Sequence, residues 1–75
     1  MPPTEPALKK FGANVRAKRD AKELSQEKLA ELADLDRTYI SSVERGLRNI
    51  SLLSTLSIAK ALRISVSELC KGIDG

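Results

Sequence analysis

"LADLDRTYISSVERG", Leu32–Gly46, is the stretch whose reading decides the fold. Its apolar members are few: Leu32, Ala33, Leu35, Ile40 and Val43. At helical spacing Ile40 and Val43 turn inward together, while Arg37, Thr38, Ser41 and Ser42 share the opposite face. Asp36 is suited to cap a helix that begins at Arg37 and runs to about Arg45, where Gly46 supplies a stop. The outward face of that helix is short, polar and rich in hydrogen-bonding groups, and it reads as a contact surface.

Upstream, "ELSQEKLAELA" starts a helix at Ser25, whose hydroxyl can cap free amides, and buries Leu29, Ala30 and Ala33. Only Asp34, Leu35 and Asp36 separate it from the next helix, and small Ala30 permits a close, steep crossing. Before it, Leu8, Phe11 and Val15 recur at helical spacing, predicting a first helix from about Ala7 to Asp20 with Lys9, Lys10, Arg16 and Lys18 outside. Pro2, Pro3 and Pro6 make residues 1–6 an expected flexible arm. Downstream of the loop "LRNI", Ser51 is expected to cap a fourth helix with Leu52, Leu56, Ala59 and Leu62 along one side. "SVSE" is a capping-box pattern, Ser65 with Glu68, opening a last short helix through Leu69 and Cys70. The expectation is an all-α domain of five helices over residues 7–75, without strand, linker or repeat.

A chain of 75 residues holds one domain with a small core, so a surface rather than a deep pocket must carry its function. The aromatic share is only 3%, which leaves core building to aliphatic residues and argues against base stacking on exposed rings. Net charge is +3 and the pI near 9.3, a balance that permits nucleic acid as a partner without requiring it. Cys70 is the single cysteine, so neither an internal disulfide nor a zinc-ligand cluster can be assembled within one chain. No apolar run approaches a membrane span, and "MPPTEPALKK" lacks the apolar centre of a signal peptide, so a cytoplasmic protein is expected. Histidine and a glycine-rich phosphate loop are lacking, and Asp34 and Asp36 are explained by turn and cap geometry. Neither an enzyme nor a metal or other cofactor is therefore expected.

The run "LSQEKLAELADLDRTYISSVERG" resembles the helix-turn-helix of the phage-repressor and Cro-like (XRE-type) family of bacterial regulators. The similarity continues through "RNISL", "IAKAL" and "SVSEL", and so covers the chain from Leu8 to Leu69. It implies a compact five-helix lambda-repressor-like DNA-binding domain, with the helix-turn-helix at about 25–46 and the third helix lying in the major groove. By position it places Arg37, Thr38, Ser41 and Ser42 at base edges, and the chemistry agrees. Arginine grips guanine O6 and N7 with two bonds, threonine offers a hydroxyl and a methyl, and short serines permit close approach. Arginine in a first turn also opposes the helix dipole, which makes a purely structural use less natural. The same resemblance assigns Gln26 to a DNA phosphate and puts Arg45, Arg48 and Asn49 against the flanking backbone. Ser25, Ser51 and Tyr39 join these as backbone contacts, although Ser51 serves equally as a cap and Tyr39 equally as a packing residue. Arg19 and Glu44 match the family's internal ion pair and are assigned to structure.

Two departures stand out: Glu23 and Asp34 occupy positions where the family commonly has glycine. Asp tolerates a left-handed backbone, whereas Glu23 implies either modest strain or a longer first helix. Ile50 replaces a common proline, and Lys18 a common apolar residue. Within the family, "LDRTYISSVERGLRN" is similar to the controller proteins of restriction-modification systems, small regulators that act as dimers on symmetric operators. Phage-type repressors, orphan regulators and antitoxins that work mainly on a protein partner share much of the pattern. One recognition helix reads few base pairs, so a homodimer on double-stranded DNA is expected, with Val66, Leu69, Cys70 and Ile73 as the candidate interface and RNA polymerase as a further partner for an activator.

Overall fold

The structure, a computed structural model, describes residues 5–75, with side chains from Pro6 onward. Among the described residues five helices follow one another: α1 Glu5–Ala21, α2 Gln26–Ala33, α3 Arg37–Glu44, α4 Leu52–Leu62 and α5 Val66–Leu69. Among the described residues there is no strand. Residues 1–4 of the expected arm lie outside the described residues. Glu5 and Pro6 are corrected from arm to helix: α1 starts two residues ahead of the expected Ala7, and proline is tolerated in a first turn because its missing amide has no partner there.

Each later helix starts at the residue read as its cap. Ser25, Ser51 and Ser65 have extended backbones and accept the amide of the third residue on, while Asp36 accepts that of Thr38. The capping box is closed, since Glu68 also reaches back to the Ser65 amide. The core is aliphatic around one ring: Phe11 and Val15 from α1, Leu29, Ala30 and Ala33 from α2, Ile40 and Val43 from α3, Ile58, Ala59 and Leu62 from α4, and Leu69 from α5.

Helix α4 departs from expectation. Its buried face is Thr55, Ile58, Ala59 and Leu62, whereas Leu52 and Leu56, expected inside, are exposed. The helix is turned by the burial of Thr55, whose hydroxyl donates to the Ser51 carbonyl at 2.8 Å. With its polar atom satisfied four residues back, threonine behaves in the core as a small β-branched apolar residue. A reading that follows the leucines cannot see this.

Among the described residues three non-glycine residues have left-handed backbones: Glu23 (φ 56°), Asp34 (φ 57°) and Arg63 (φ 58°), each just past a helix end. Asp34 ends α2, donating to Ala30 and Glu31, and the Leu35 amide returns to Ala30 at 2.9 Å, which reverses the chain within the three-residue turn. Glu23 takes the strained alternative rather than a longer α1. Lys18 spans from α1 to Glu68 of α5 at 3.5 Å, so the position has exchanged apolar packing for an ion pair. Asn14 donates to the carbonyls of Leu69 and Lys71 at 2.8 and 2.9 Å and ties the last helix down.

Gly12, in the middle of α1, is the point where α1 meets the end of α3. A Cβ there would meet the Val43 carbonyl and stand 2.7 Å from that of Glu44. In an open helix, Gly→Ala stabilises by about 1 kcal/mol. Here, replacing Gly12 by Ala is expected to cost roughly 2–3 kcal/mol, because backbone cannot yield as a side-chain tip can. Replacing Glu23 by Gly has the opposite sign, a gain of about 0.5–1 kcal/mol from relief of the left-handed strain. Urea denaturation of the two variants checks both signs.

Candidate nucleic-acid interface

The Asp36 carboxylate anchors the first turn of α3, with Oδ1 accepting the Thr38 amide at 2.8 Å and the Thr38 hydroxyl at 2.7 Å. Those two bonds hold the fully exposed carboxyl below the usual carboxylate range, so the cap stays ionised at neutral pH. From this anchor, Ile40 and Val43 enter the core, and Arg37 and Thr38 stand exposed with Ser41 and Ser42 half-exposed beside them. The four expected base-facing residues therefore lie together on the face away from the core.

The flank of this face is built by the loop after α3. Arg45 caps α3 and is exposed, Gly46 turns with φ 74° against Lys9 of α1, and Arg48 and Asn49 are exposed. A side chain at Gly46 would run into Lys9, so the loop is pressed onto α1 and its direction is set. Tyr39 is half-buried against the core, and the Arg48 guanidinium lies 4.6 Å from its ring centroid. The ring packs, and its exposed surface carries Arg48, a cation–π contact that restrains a long side chain. Among the described residues, Arg37, Arg45 and Arg48 form no ion pair, whereas Arg16, Lys18, Arg19 and Lys28 do. Three arginines without a counter-ion thus stand on α3 and in the segment just beyond it, where they are free to meet phosphates.

Behind the face lies the expected pair of Arg19 and Glu44. It is bidentate: Nε donates to Oε2 at 2.7 Å and Nη2 to Oε1 at 3.0 Å, with the Glu44 side chain only 3% exposed. Arg19 Nη1 also donates to the Leu24 carbonyl at 2.6 Å. The hydrogen bond to Glu44 outweighs desolvation and raises the Arg19 pKa above its ordinary value. Gln26 joins the cluster, its Nε2 donating to Glu44 Oε1 at 3.1 Å. This bond was not read from the sequence, since nothing local links residues 18 apart. The residue assigned to a phosphate is thus held by the ion pair, with one amide hydrogen and its carbonyl oxygen left to use. Ser25 and Ser51, also assigned to backbone contact, serve as caps for Lys28 and Ser54 at 2.9 and 3.1 Å.

The expected dimer residues do not form one exposed patch. Leu69 is 0% exposed and belongs to the monomer core, so it is withdrawn from any interface; as the last residue of α5 it is the one the short helix inserts between its neighbours. Val66, Cys70 and Ile73 are half-buried and pack against that core. The large exposed apolar residues are instead Leu32 of α2, Leu47 in the loop and, grouped on one helix, Leu52, Leu53 and Leu56 of α4, with Leu52 71% and Leu53 76% exposed.

Two helices joined by a tight left-handed turn, the second presenting a polar and cationic face away from the core, define a helix-turn-helix domain. Residues 15–69 match the helix-turn-helix family. The chain belongs to this family. It is 54% identical to the control protein C.SmaI of Serratia marcescens over 56 residues, 75% of this chain and 67% of that one. With the control protein C.BamHI of Bacillus amyloliquefaciens it shares 52% identity over 60 residues, 79% of this chain and 74% of that one. The crystal structure of the restriction-modification controller protein C.AhdI from Aeromonas hydrophila is similar with a TM-score of 0.82 and 55% identity, over 83% of this chain and 94% of that chain.

Replacing Glu44 by Ala removes the bidentate partner of Arg19 and the acceptor of Gln26, leaving Arg19 with only Asp20 and the Leu24 carbonyl, and is expected to cost about 3 kcal/mol of stability. Replacing Arg19 and Glu44 together by apolar residues of similar volume is expected to cost less than Glu44→Ala alone. Chemical denaturation of the two variants tests the order.

Proposed function

We propose that this protein is a sequence-specific DNA-binding transcriptional regulator, the controller of a restriction-modification system, and that it binds symmetric operators as a homodimer. The observation that carries this reading is the outer face of α3, where Arg37, Thr38, Ser41 and Ser42 contribute little to the core and stand beside arginines without counter-ions. Relatives named as control proteins at more than half identity supply the specific assignment.

In this reading α3 enters the major groove, with Arg37 bidentate on guanine O6 and N7, and Thr38, Ser41 and Ser42 against neighbouring base edges. Arg45, Arg48 and Asn49 neutralise or bond the flanking phosphates, Tyr39 acts by steadying Arg48, and Gln26, Ser25 and Ser51 complete the backbone contacts at two helix starts. Pairing draws on the leucine face of α4, with Val66, Cys70 and Ile73 as secondary contributors. Exposed leucines at three positions of one helix are unusual on a lone domain of this size and are explained by a second copy. Binding rather than catalysis is its task, in the cytoplasm and without a cofactor, with RNA polymerase meeting it at the promoter when it activates.

The experiment is selection of binders from random duplex DNA in about 0.15 M salt, which suppresses purely electrostatic binding. The expected result is a two-fold symmetric sequence. Arg37→Ala should lose about 1–3 kcal/mol of discrimination at one base pair in each half-site. Arg48→Ala should weaken all sequences alike and flatten the salt dependence. Absence of enrichment, or weak salt dependence of the partner that is found, moves the function to a protein-binding module.

A further inference from the structure

The caps of this protein are not equivalent. Ser25, Ser51 and Ser65 each accept the amide of the third residue on, from Lys28, Ser54 and Glu68 at 2.9, 3.1 and 3.0 Å. Asp36 instead accepts from the second residue on, and from that residue twice: one carboxylate oxygen takes both the amide and the hydroxyl of Thr38. An ionised carboxylate has no hydrogen to give, so the direction is settled, and Thr38 Oγ1 is the donor.

We propose that Asp36 is a positioning residue that sets the specificity of Thr38: by taking its hydroxyl hydrogen it leaves Thr38 able to offer a base edge only acceptor lone pairs and a methyl group. The inference rests on the reading of α3 as the base-contacting helix. A free threonine hydroxyl rotates and serves either as donor or as acceptor, and so discriminates poorly between base edges. A β-branched side chain has few rotamers, and with its hydroxyl hydrogen engaged by Asp36, Thr38 has one remaining polarity. In the major groove the donors are adenine N6 and cytosine N4, while guanine N7 and O6, adenine N7 and thymine O4 accept. Thr38 therefore pairs with an exocyclic amine and can set its methyl against a thymine methyl. Neighbouring Arg37 is a donor only and takes the acceptors of guanine. The first turn of α3 thus presents two residues of opposite hydrogen-bonding sense, one intrinsic to its chemistry and the other imposed by the cap.

The test uses the full chain and an operator selected with the wild-type protein. Thr38→Val keeps shape and methyl and identifies the base pair under Thr38 as the one whose preference changes. At that pair, removal of the exocyclic amine, by deoxynebularine for adenine or 2-pyrimidinone for cytosine, should weaken wild-type binding about fivefold. A 7-deazapurine at the same pair, which removes an acceptor, should leave it unchanged. Asp36→Asn retains a carbonyl acceptor for Thr38 and should behave as wild type. Asp36→Ser restores the cap geometry of the other helices, takes the amide of Tyr39 and releases the hydroxyl. It should fold, bind, and tolerate loss of the amine with less than about a twofold effect, since the freed hydroxyl donates to the acceptor that remains. Sensitivity of the wild type to the 7-deazapurine, no change of preference in Thr38→Val, or undiminished amine dependence in Asp36→Ser overturns the inference while DNA binding stands. Failure of the wild type to select any sequence overturns both.

Discussion

Three helices meet on one carboxylate. Glu44, at the end of α3, is held by the fork of Arg19 from α1 and by the amide of Gln26 from the start of α2, and water scarcely reaches it. A charge so placed is tolerated only when its partners stand at hydrogen-bonding distance, so the cluster specifies the angles between these helices more than it adds to their stability. Gly12 makes the same junction possible from the other side, because α1 can come close enough for Arg19 to reach only where no Cβ intervenes against the α3 backbone. Everything beyond α3, the turn at Gly46 and the loop that carries Arg48, takes its position from this join.

Helix α3 is therefore fixed by its inner face and its end, and its outer face is left with little structural duty. Ile40 and Val43 satisfy the core, Asp36 satisfies the first-turn amide, and Glu44 locks the last turn. On α1 and α2 several cations are matched with acids: Arg16 with Asp20, Lys18 with Glu68, Lys28 with Glu31. Among the described residues, those on and after α3 are not. With a net charge of only +3, the local grouping of Arg37, Arg45 and Arg48 beside the polar face of α3 is what suits a polyanion there.

The leucines of α4 follow a similar division. Small domains bury a limited fraction of their apolar surface, and here the interior position at the head of α4 is filled by Thr55, with its hydroxyl satisfied by the preceding turn. Leu52, Leu53 and Leu56 are then turned outward on one face. In place of the α5 surface the sequence suggested, the protein offers three exposed leucines on the helix that follows the loop beyond α3, so a pairing surface there would couple directly to the spacing of two such helices.

Local chemistry made much of the fold legible. Ser25, Asp36, Ser51 and Ser65 were readable as caps because a short side-chain acceptor before an amphipathic run satisfies amides within three residues of itself. The helix-turn-helix and the polar face of α3 were readable because periodicity assigns each residue to a side without reference to the rest of the chain. The pair of Arg19 and Glu44 came only through resemblance. What tertiary structure decided was everything that depends on contact between distant segments. The close approach at Gly12, the capture of Gln26 by Glu44, the stacking of Arg48 on Tyr39, the burial of Leu69 and the rotation of α4 about Thr55 have no local signal. A side chain's pattern in sequence states which face it occupies, but only the packed neighbour determines whether that face is covered, and by what.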